Sequence, residues 1–163
     1  MNHQNLSIVL TGSGGSGVMT TGSMLLEVAA RAGWYGFMGR SAGPQIRGGE
    51  AAAVLRLSDQ PVESPDDHFQ LVLAIDPGSV GRFVAEIPLS RESLLITDEE
   101  AGRRGAALPA TVAQVLDLPM SSLAKSINGG RANMIALGAL ARMAGLPQES
   151  IYPVLEKALQ AKG

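Results

Sequence analysis

The sequence contains no cysteine. This absence excludes disulfide bonds, a thiolate nucleophile and any cysteine-ligated iron–sulfur cluster within these 163 residues. The two histidines, His3 and His68, lie far apart and leave few ligands for zinc or haem, so we predict no metal site. A cysteine-free composition fits a cytoplasmic location.

Charged and aromatic residues are also scarce, at 17% and 4% of the sequence. Since 45% of the residues are hydrophobic, the core must be built mostly from Ala, Val, Leu, Ile and Met. A net charge of −2 provides no clustered basic face that could displace counterions from a phosphate backbone. We therefore expect no nucleic-acid partner.

The stretch before Glu27 has no carboxylate, lysine or arginine, but polar residues and glycines interrupt it. It is too polar for a helix embedded in hydrocarbon, and it lacks the basic start of a signal peptide. We expect no membrane partner. The length predicts one α/β domain over residues 1–163, either free-standing or part of a longer fused chain.

Short apolar runs rich in β-branched residues alternate with segments of helical periodicity. The strands are predicted at residues 6–11, 34–38, 51–57, 69–75 and 94–97, and the helices at residues 18–32, 79–86, 131–144 and 147–159. Repeated strand–turn–helix units indicate an α/β fold. We predict a mainly parallel, Rossmann-like sheet flanked by helices, with a helical C-terminal segment.

A glycine loop follows the first predicted strand and precedes the first predicted helix; its sequence is Gly12-Ser13-Gly14-Gly15-Ser16-Gly17. Its G-x-G-x-x-G spacing allows a tight turn whose backbone N–H groups can approach a phosphate. Dinucleotide sites also need a carboxylate about 20 residues later, and this sequence has Arg40 there instead. Phosphate contact, contact with an NADP 2′-phosphate through Arg40, and simple packing all remain open.

The arginine–glycine segment, residues 40–50, is the most distinctive stretch. Because it follows the second predicted strand, it is expected near the carboxyl edge of the sheet, where open α/β folds bind ligands. Gln45 and Arg47 stand beside Gly48 and Gly49, which leave space for a guanidinium to reach a phosphate or carboxylate. A salt bridge between Arg47 and Glu50 is the structural alternative.

Other polar clusters are interpreted as structural. We expect residues 98–100, three consecutive acids, to form a solvated turn, and Asn128 to cap the following helix. Asn133 is placed at an interface, where its amide would satisfy backbone groups. No serine has a recognisable histidine partner, and no Tyr-x-x-x-Lys pair is present, so we assign no catalytic residue.

Taken together and in this order, these motifs resemble the γ subunit, or γ domain, of the pyruvate- and 2-oxoacid:ferredoxin oxidoreductases. That family carries a G-x-G-G-Q-G loop, then G-P-x-x-R-G-G, then a V-R-x-S strand, P-x-x-S-P, a D-x-L-V-A-L-D strand and an N-M-x-x-L-G-A-L helix. Ser16 replaces the usual Gln, and Ala42 stands where Tyr is common. The corresponding stretches here are residues 12–17, 43–49, 54–59, 61–65, 71–76 and 133–140.

The resemblance implies an assembly that oxidatively decarboxylates a 2-oxoacid and forms an acyl-CoA. Thiamine diphosphate, Mg²⁺ and the iron–sulfur clusters would belong to partner α, β and iron–sulfur subunits, and ferredoxin or another acceptor would take the electrons. This chain would not be catalytic alone. It would contribute subunit packing and share coenzyme A through the glycine loop, Arg40, Gln45, Arg47, Gly48 and Gly49, with Asn133 at an interface.

Two other interpretations stay open at this point. One is an independent oxidoreductase domain that binds NADP or a flavin nucleotide, and the other is a scaffold whose glycine loop binds nothing. The segment Gly-Pro-Gln-Ile-Arg-Gly-Gly-Glu is most similar to the same segment of family members that act on 2-oxoglutarate.

Overall fold

The computed structural model describes residues 4–42, 49–76, 87, 89–102 and 114–160. Six strands form one sheet in the order β2-β3-β1-β4-β5-β6. The strands are β1 (Asn5–Ser13), β2 (Tyr35–Ala42), β3 (Glu50–Ser58), β4 (Leu71–Ala74), β5 (Leu94–Asp98) and β6 (Gln114–Leu118). The helices are α1 (Val18–Arg31), α2 (Glu99–Gly102), α3 (Met120–Ser126), α4 (Ala132–Met143) and α5 (Gln148–Gln160).

The strands β1, β4, β5 and β6 pair in parallel with one another. The strand β3 runs antiparallel to both of its neighbours, β1 and β2. Five of these strands therefore point the same way, and the prediction of a mainly parallel α/β sheet flanked by helices is confirmed. The sequence pattern did not indicate that β3 would lie between β1 and β2.

Both faces of β1 are buried. Ile8 and Leu10 belong to the larger apolar cluster, which includes Leu25 of α1 and Leu137 of α4, whereas Val9 belongs to a smaller cluster on the other face. A strand buried on both faces is expected to be a continuous apolar run, which is what β1 shows. The glycine loop thus begins at the end of a strand that is buried on both faces of the sheet.

Most predicted elements lie where the sequence placed them, within the usual uncertainty at their ends. The second strand continues to Ala42, so the start of the arginine–glycine segment belongs to this strand. The predicted helix at residues 79–86 lies outside the described residues. The sequence analysis missed β6 and α3. None of the helices among the described residues is long and apolar enough to cross a bilayer.

A carboxylate joins β1 to the segment that precedes β4. Asp66 accepts hydrogen bonds from Asn5 Nδ2 and Ser7 Oγ, both at 3.1 Å, and from the N–H of Asp67 at 2.9 Å. Burial raises the pKa of Asp66, but the hydrogen bonds from Asp67, Asn5 and Ser7 and the charge of Arg56 outweigh it, and the pKa falls below its ordinary value.

We expect the variant Asp66→Asn to be less stable than the parent by about 1 kcal/mol at neutral pH. A carboxyl whose pKa is lowered by folding stabilises the protein above its unfolded pKa. That stabilisation is lost as the pH falls through the folded pKa, so the two proteins should converge in acid. Urea unfolding from pH 7 to pH 2 measures this, with the exposed Asp67→Asn as control. A pH-independent difference would contradict the assignment.

Candidate functional site

The glycine loop turns directly from β1 into α1. Gly12 and Ser13 are the last residues of β1, paired with Ala51 and Glu50 of β3, so only residues 14–17 form the turn. Gly15 and Gly17 have φ values of +89° and +93°, which side chains with a Cβ rarely adopt. Gly17 is the N-cap of α1, and none of the described side chains caps this helix. Its first N–H groups are therefore available to a ligand.

The two motifs of the sequence analysis meet here. The N–H of Gly14 donates a 2.8 Å hydrogen bond to the carbonyl oxygen of Gly49, at the end of the arginine–glycine segment. This contact fixes the start of the loop against the start of β3, and it removes the N–H of Gly14 from those that a ligand could use. Gln45, Arg47 and Gly48 lie outside the described residues, as does the predicted bridge from Arg47 to Glu50.

Arg40 lies apart from the glycine loop. It is exposed near the end of β2 and pairs in register with Ala53 of β3. Because β3 separates β2 from β1, Arg40 is two strand spacings from β1, about 10 Å. A dinucleotide that lies across adjacent parallel strands would not find Arg40 at the position where its ribose is normally held.

Asn133 lies against the glycine loop. A Cβ at Gly17 would be 2.6 Å from Asn133 Nδ2 and 2.8 Å from its Cγ, so only glycine allows this approach. The hydroxyl of Thr21 in α1 donates to the backbone oxygen of Asn133 at 3.3 Å. Asn133 is only 8% exposed. The sequence analysis singled out Asn133 but placed it at an interface between subunits; its partners in the structure include the loop of its own chain.

A polar cavity of about 290 Å³ opens between the loop and α4. It is lined by residues 15–17, Thr20 and residues 131–133. The N-termini of α1 and α4 both lie at this cavity, and neither helix has an acidic residue in its first turn or a side-chain cap. Since the N-terminus of a helix carries about half a positive charge, two of them favour an anion here.

Among the described residues, an arginine and a serine hydroxyl at the cavity lack partners. Arg131 is exposed and is the N-cap of α4, and its guanidinium has no ion-pair partner among the described residues. The Oγ of Ser16 is buried without a hydrogen-bond partner in that part of the chain. Sequence reasoning missed Arg131, because it stood in a turn interpreted as structural.

Two structural interpretations of the sequence were wrong. Asp98 is not in a solvated turn: it is 3% exposed and accepts hydrogen bonds from Ser121 and Glu100. Asn128 does not cap α4, because the N-cap is Arg131 in an extended conformation. Within the described residues no three His, Cys, Asp or Glu side chains are grouped so that they could hold a metal ion.

A mixed six-stranded sheet with a glycine loop between β1 and α1 defines a Rossmann-like α/β class of domain. The profile of the pyruvate ferredoxin/flavodoxin oxidoreductase family matches residues 7–163. The chain belongs to this family, and the resemblance predicted from its motifs is confirmed.

Curated and solved relatives agree with this assignment. The chain is 26% identical over 158 residues to the 2-oxoglutarate synthase subunit KorC of Archaeoglobus fulgidus, covering 96% of this chain and 80% of the relative. A pyruvate oxidoreductase subunit PORC from Thermotoga maritima superposes with a TM-score of 0.68 at 26% identity, over 95% of this chain and 85% of that one.

Two further structures share the fold. One is a 2-oxoglutarate:ferredoxin oxidoreductase from Magnetococcus marinus with bound 2-oxoglutarate, coenzyme A and succinyl-CoA, which has a TM-score of 0.78 at 25% identity over 98% of this chain. This chain spans 28% of that longer polypeptide. The γ subunit of a keto/oxoacid ferredoxin oxidoreductase from Geobacter sulfurreducens has a TM-score of 0.72 at 24% identity, over 92% and 84% of the two chains.

Proposed function

We propose that this chain is the γ component of a 2-oxoacid:acceptor oxidoreductase, in which it packs against partner subunits and contacts coenzyme A. The observation that carries the proposal is the 2.8 Å hydrogen bond between Gly14 and Gly49, because it joins the two family motifs at one edge of the sheet. The matching family profile and the γ-subunit fold support the same role.

The thiamine and iron–sulfur chemistry is assigned to the partners. The chain has no cysteine, so it offers no thiolate to an iron–sulfur cluster. Its described residues supply no cluster of carboxylates for the Mg²⁺ that accompanies thiamine diphosphate. What this chain supplies is backbone N–H groups and helix N-termini, which hold anionic groups of a substrate rather than change its bonds.

We propose 2-oxoglutarate as the 2-oxoacid of the assembly. The sequence Gly-Pro-Gln-Ile-Arg-Gly-Gly-Glu supports this choice. Both the Archaeoglobus relative and the Magnetococcus enzyme are named for 2-oxoglutarate. The Thermotoga relative, named for pyruvate, is equally similar in sequence. An assay must therefore compare the two acids directly.

An independent NADP-binding domain is the weaker alternative. It would need Arg40 beside the glycine loop, and β3 stands between them. In addition, the side chain of Asn133 occupies the space beside Gly17, the last glycine of the G-x-G-x-x-G spacing, where dinucleotide-binding domains pack helix against strand.

Purification of the tagged protein from its own cells, under anaerobic and native conditions, tests the proposed function. We expect it to co-elute with cysteine-rich and thiamine-binding subunits, and the eluate to reduce a dye with 2-oxoglutarate only when coenzyme A is added. If the activity with pyruvate were greater than that with 2-oxoglutarate, the proposed substrate would change to pyruvate and the proposed γ role would stand. A lone chain that lacks iron and thiamine yet is stabilised by NADPH would overturn the proposal.

A further inference from the structure

The turn between α3 and α4 contains Asn128 and Gly129, the only Asn-Gly pair in the sequence. We propose that Asn128 is a site of spontaneous deamidation, at which the chain converts its own side-chain amide into a carboxylate. The inference does not depend on the proposed function. The features that carry it are an exposed amide that the fold does not hold, a backbone nitrogen without a shield, and open space around both.

The amide of Asn128 has no structural role among the described residues. Asn128 is exposed, and it makes no hydrogen bond with any of them. It does not cap the helix that follows, because the N-cap of α4 is Arg131. An amide that neither the backbone nor another side chain holds is free to rotate toward the peptide bond that follows it.

The backbone nitrogen of Gly129 is the group that this amide can meet. The hydrogen bond of the turn runs from the N–H of Gly130 to the carbonyl oxygen of Ile127, at 2.8 Å, and leaves the N–H of Gly129 unpaired within the described part of the chain. Gly129 is exposed and has a φ of +72°. A Cβ at Gly129 would meet nothing within 4 Å, so the peptide has room to move and no side chain covers its nitrogen.

The reaction needs only water. The nitrogen of Gly129 gives its proton to the solvent and attacks Cγ of Asn128, where a new C–N bond closes a succinimide ring. The bond from Cγ to the side-chain nitrogen breaks, and that nitrogen takes a proton and leaves as ammonia. Water then opens one of the two C–N bonds of the ring, which gives aspartate or isoaspartate at position 128. Nothing is oxidised or reduced.

Both products change the turn. Each adds one negative charge to a chain whose net charge is −2. The charge appears beside a groove of about 240 Å³ that Gly129 and Arg131 line, and it lowers the positive potential there. Isoaspartate also adds a carbon to the backbone. Because a Cβ at Gly130 would collide with the carbonyl oxygen of Ala124, the turn has little room for this carbon, and the isoaspartate form should be the less stable one.

The test follows the purified full chain during storage in mildly alkaline buffer, folded and in urea. Samples are digested at mildly acidic pH, where the reaction is slow, and the peptides are separated and weighed; deamidation adds about 1 Da. Two other asparagines serve as internal controls. Asn5 is hydrogen-bonded to Asp66 and Arg56, and Asn133 is only 8% exposed.

Two glycine variants make the test specific. In Gly129→Ala, the new methyl group shields the attacking nitrogen. Gly145→Ala is the matched control, because Gly145 has a φ of +73° and a Cβ there would also meet nothing within 4 Å. The two variants therefore carry the same conformational cost, and only the first changes the surroundings of Asn128.

We expect Asn128 in the folded chain to convert at a rate within about tenfold of its rate in urea, since it needs no unfolding to react. Asn5 and Asn133 should convert in the folded chain far more slowly than in urea. Gly129→Ala should slow the conversion of Asn128 by about tenfold or more, and Gly145→Ala should leave it unchanged. If Asn128 converted only in urea, or not at all, the site would be overturned. Equal slowing by the two glycine variants would overturn the role of the Gly129 nitrogen.

Discussion

The variant Gly17→Ala is expected to lose about 2–5 kcal/mol of unfolding free energy. Two physical effects add. Gly17 has a φ of +93°, a conformation that costs an L-residue about 1–2 kcal/mol. The new methyl group would also lie 2.6 Å from Asn133 Nδ2, and such overpacking costs about 1–3 kcal/mol. Urea unfolding followed by circular dichroism measures the loss.

The neighbouring Gly15 separates these two effects. Its φ of +89° nearly equals that of Gly17, but a Cβ at Gly15 would meet nothing within 4 Å. Gly15→Ala should therefore show the conformational cost alone. In a double-mutant cycle, Asn133→Ala should relieve part of the cost of Gly17→Ala, by about 1 kcal/mol or more. Equal losses in the two glycine variants, with no coupling to Asn133, would disprove the close contact.

Removal of the Asp98 carboxylate should be nearly as damaging, at about 2–4 kcal/mol for Asp98→Ala. Asp98 is 3% exposed at the end of β5. Its Oδ2 accepts from the N–H of Ser121 at 2.8 Å and from the hydroxyl of Ser121 at 2.6 Å, and its Oδ1 accepts from the N–H of Glu100 at 3.1 Å. The alanine variant leaves these donors without their acceptor, and each unsatisfied group costs about 1–3 kcal/mol.

Two comparisons check that the loss comes from these hydrogen bonds. Asp98→Asn keeps one acceptor oxygen and should lose less than the alanine variant. Lys125→Ala removes an exposed ion pair with Glu100 on the same pair of helices and should change stability by about 0.5 kcal/mol or less. If thermal and urea unfolding gave Asp98→Ala and Lys125→Ala the same stability, Asp98 would not link β5 to α3.

The elements with strong local patterns could be predicted from the sequence. The strand β1 is a continuous apolar run, α1 has helical spacing that ends before Gly33, and α5 follows Pro147 with an apolar stripe. The helix α3 and the strand β6 could not be predicted, although β6 is as long as β5, because their local patterns are weak. α3 contains three serines, and all but the last residue of β6 are exposed. Neither has the periodic burial on which such a prediction depends.

The order of strands in the sheet depends on contacts that no local pattern records. A strand that follows another along the chain is usually its neighbour, yet β3 pairs with both β2 and β1 and so separates them. This arrangement decides that Arg40 lies away from the glycine loop. Asn133 could be singled out in the sequence, but its neighbour Gly17 lies more than a hundred residues earlier, and the cavity that both residues line with Arg131 exists only in the folded chain.

The hydrogen bond from Gly14 to Gly49 and the contact of Gly17 with Asn133 have a consequence for the order of folding. The hairpin of β2 and β3 can close early, since its strands are neighbours along the chain. The glycine loop, by contrast, is held at one end by β3 and at the other by α4, and both contacts are distant in sequence. We therefore expect the glycine loop to take its shape late in folding. An excised strand–loop–helix peptide would carry every residue of the loop without the contacts that give the loop its shape.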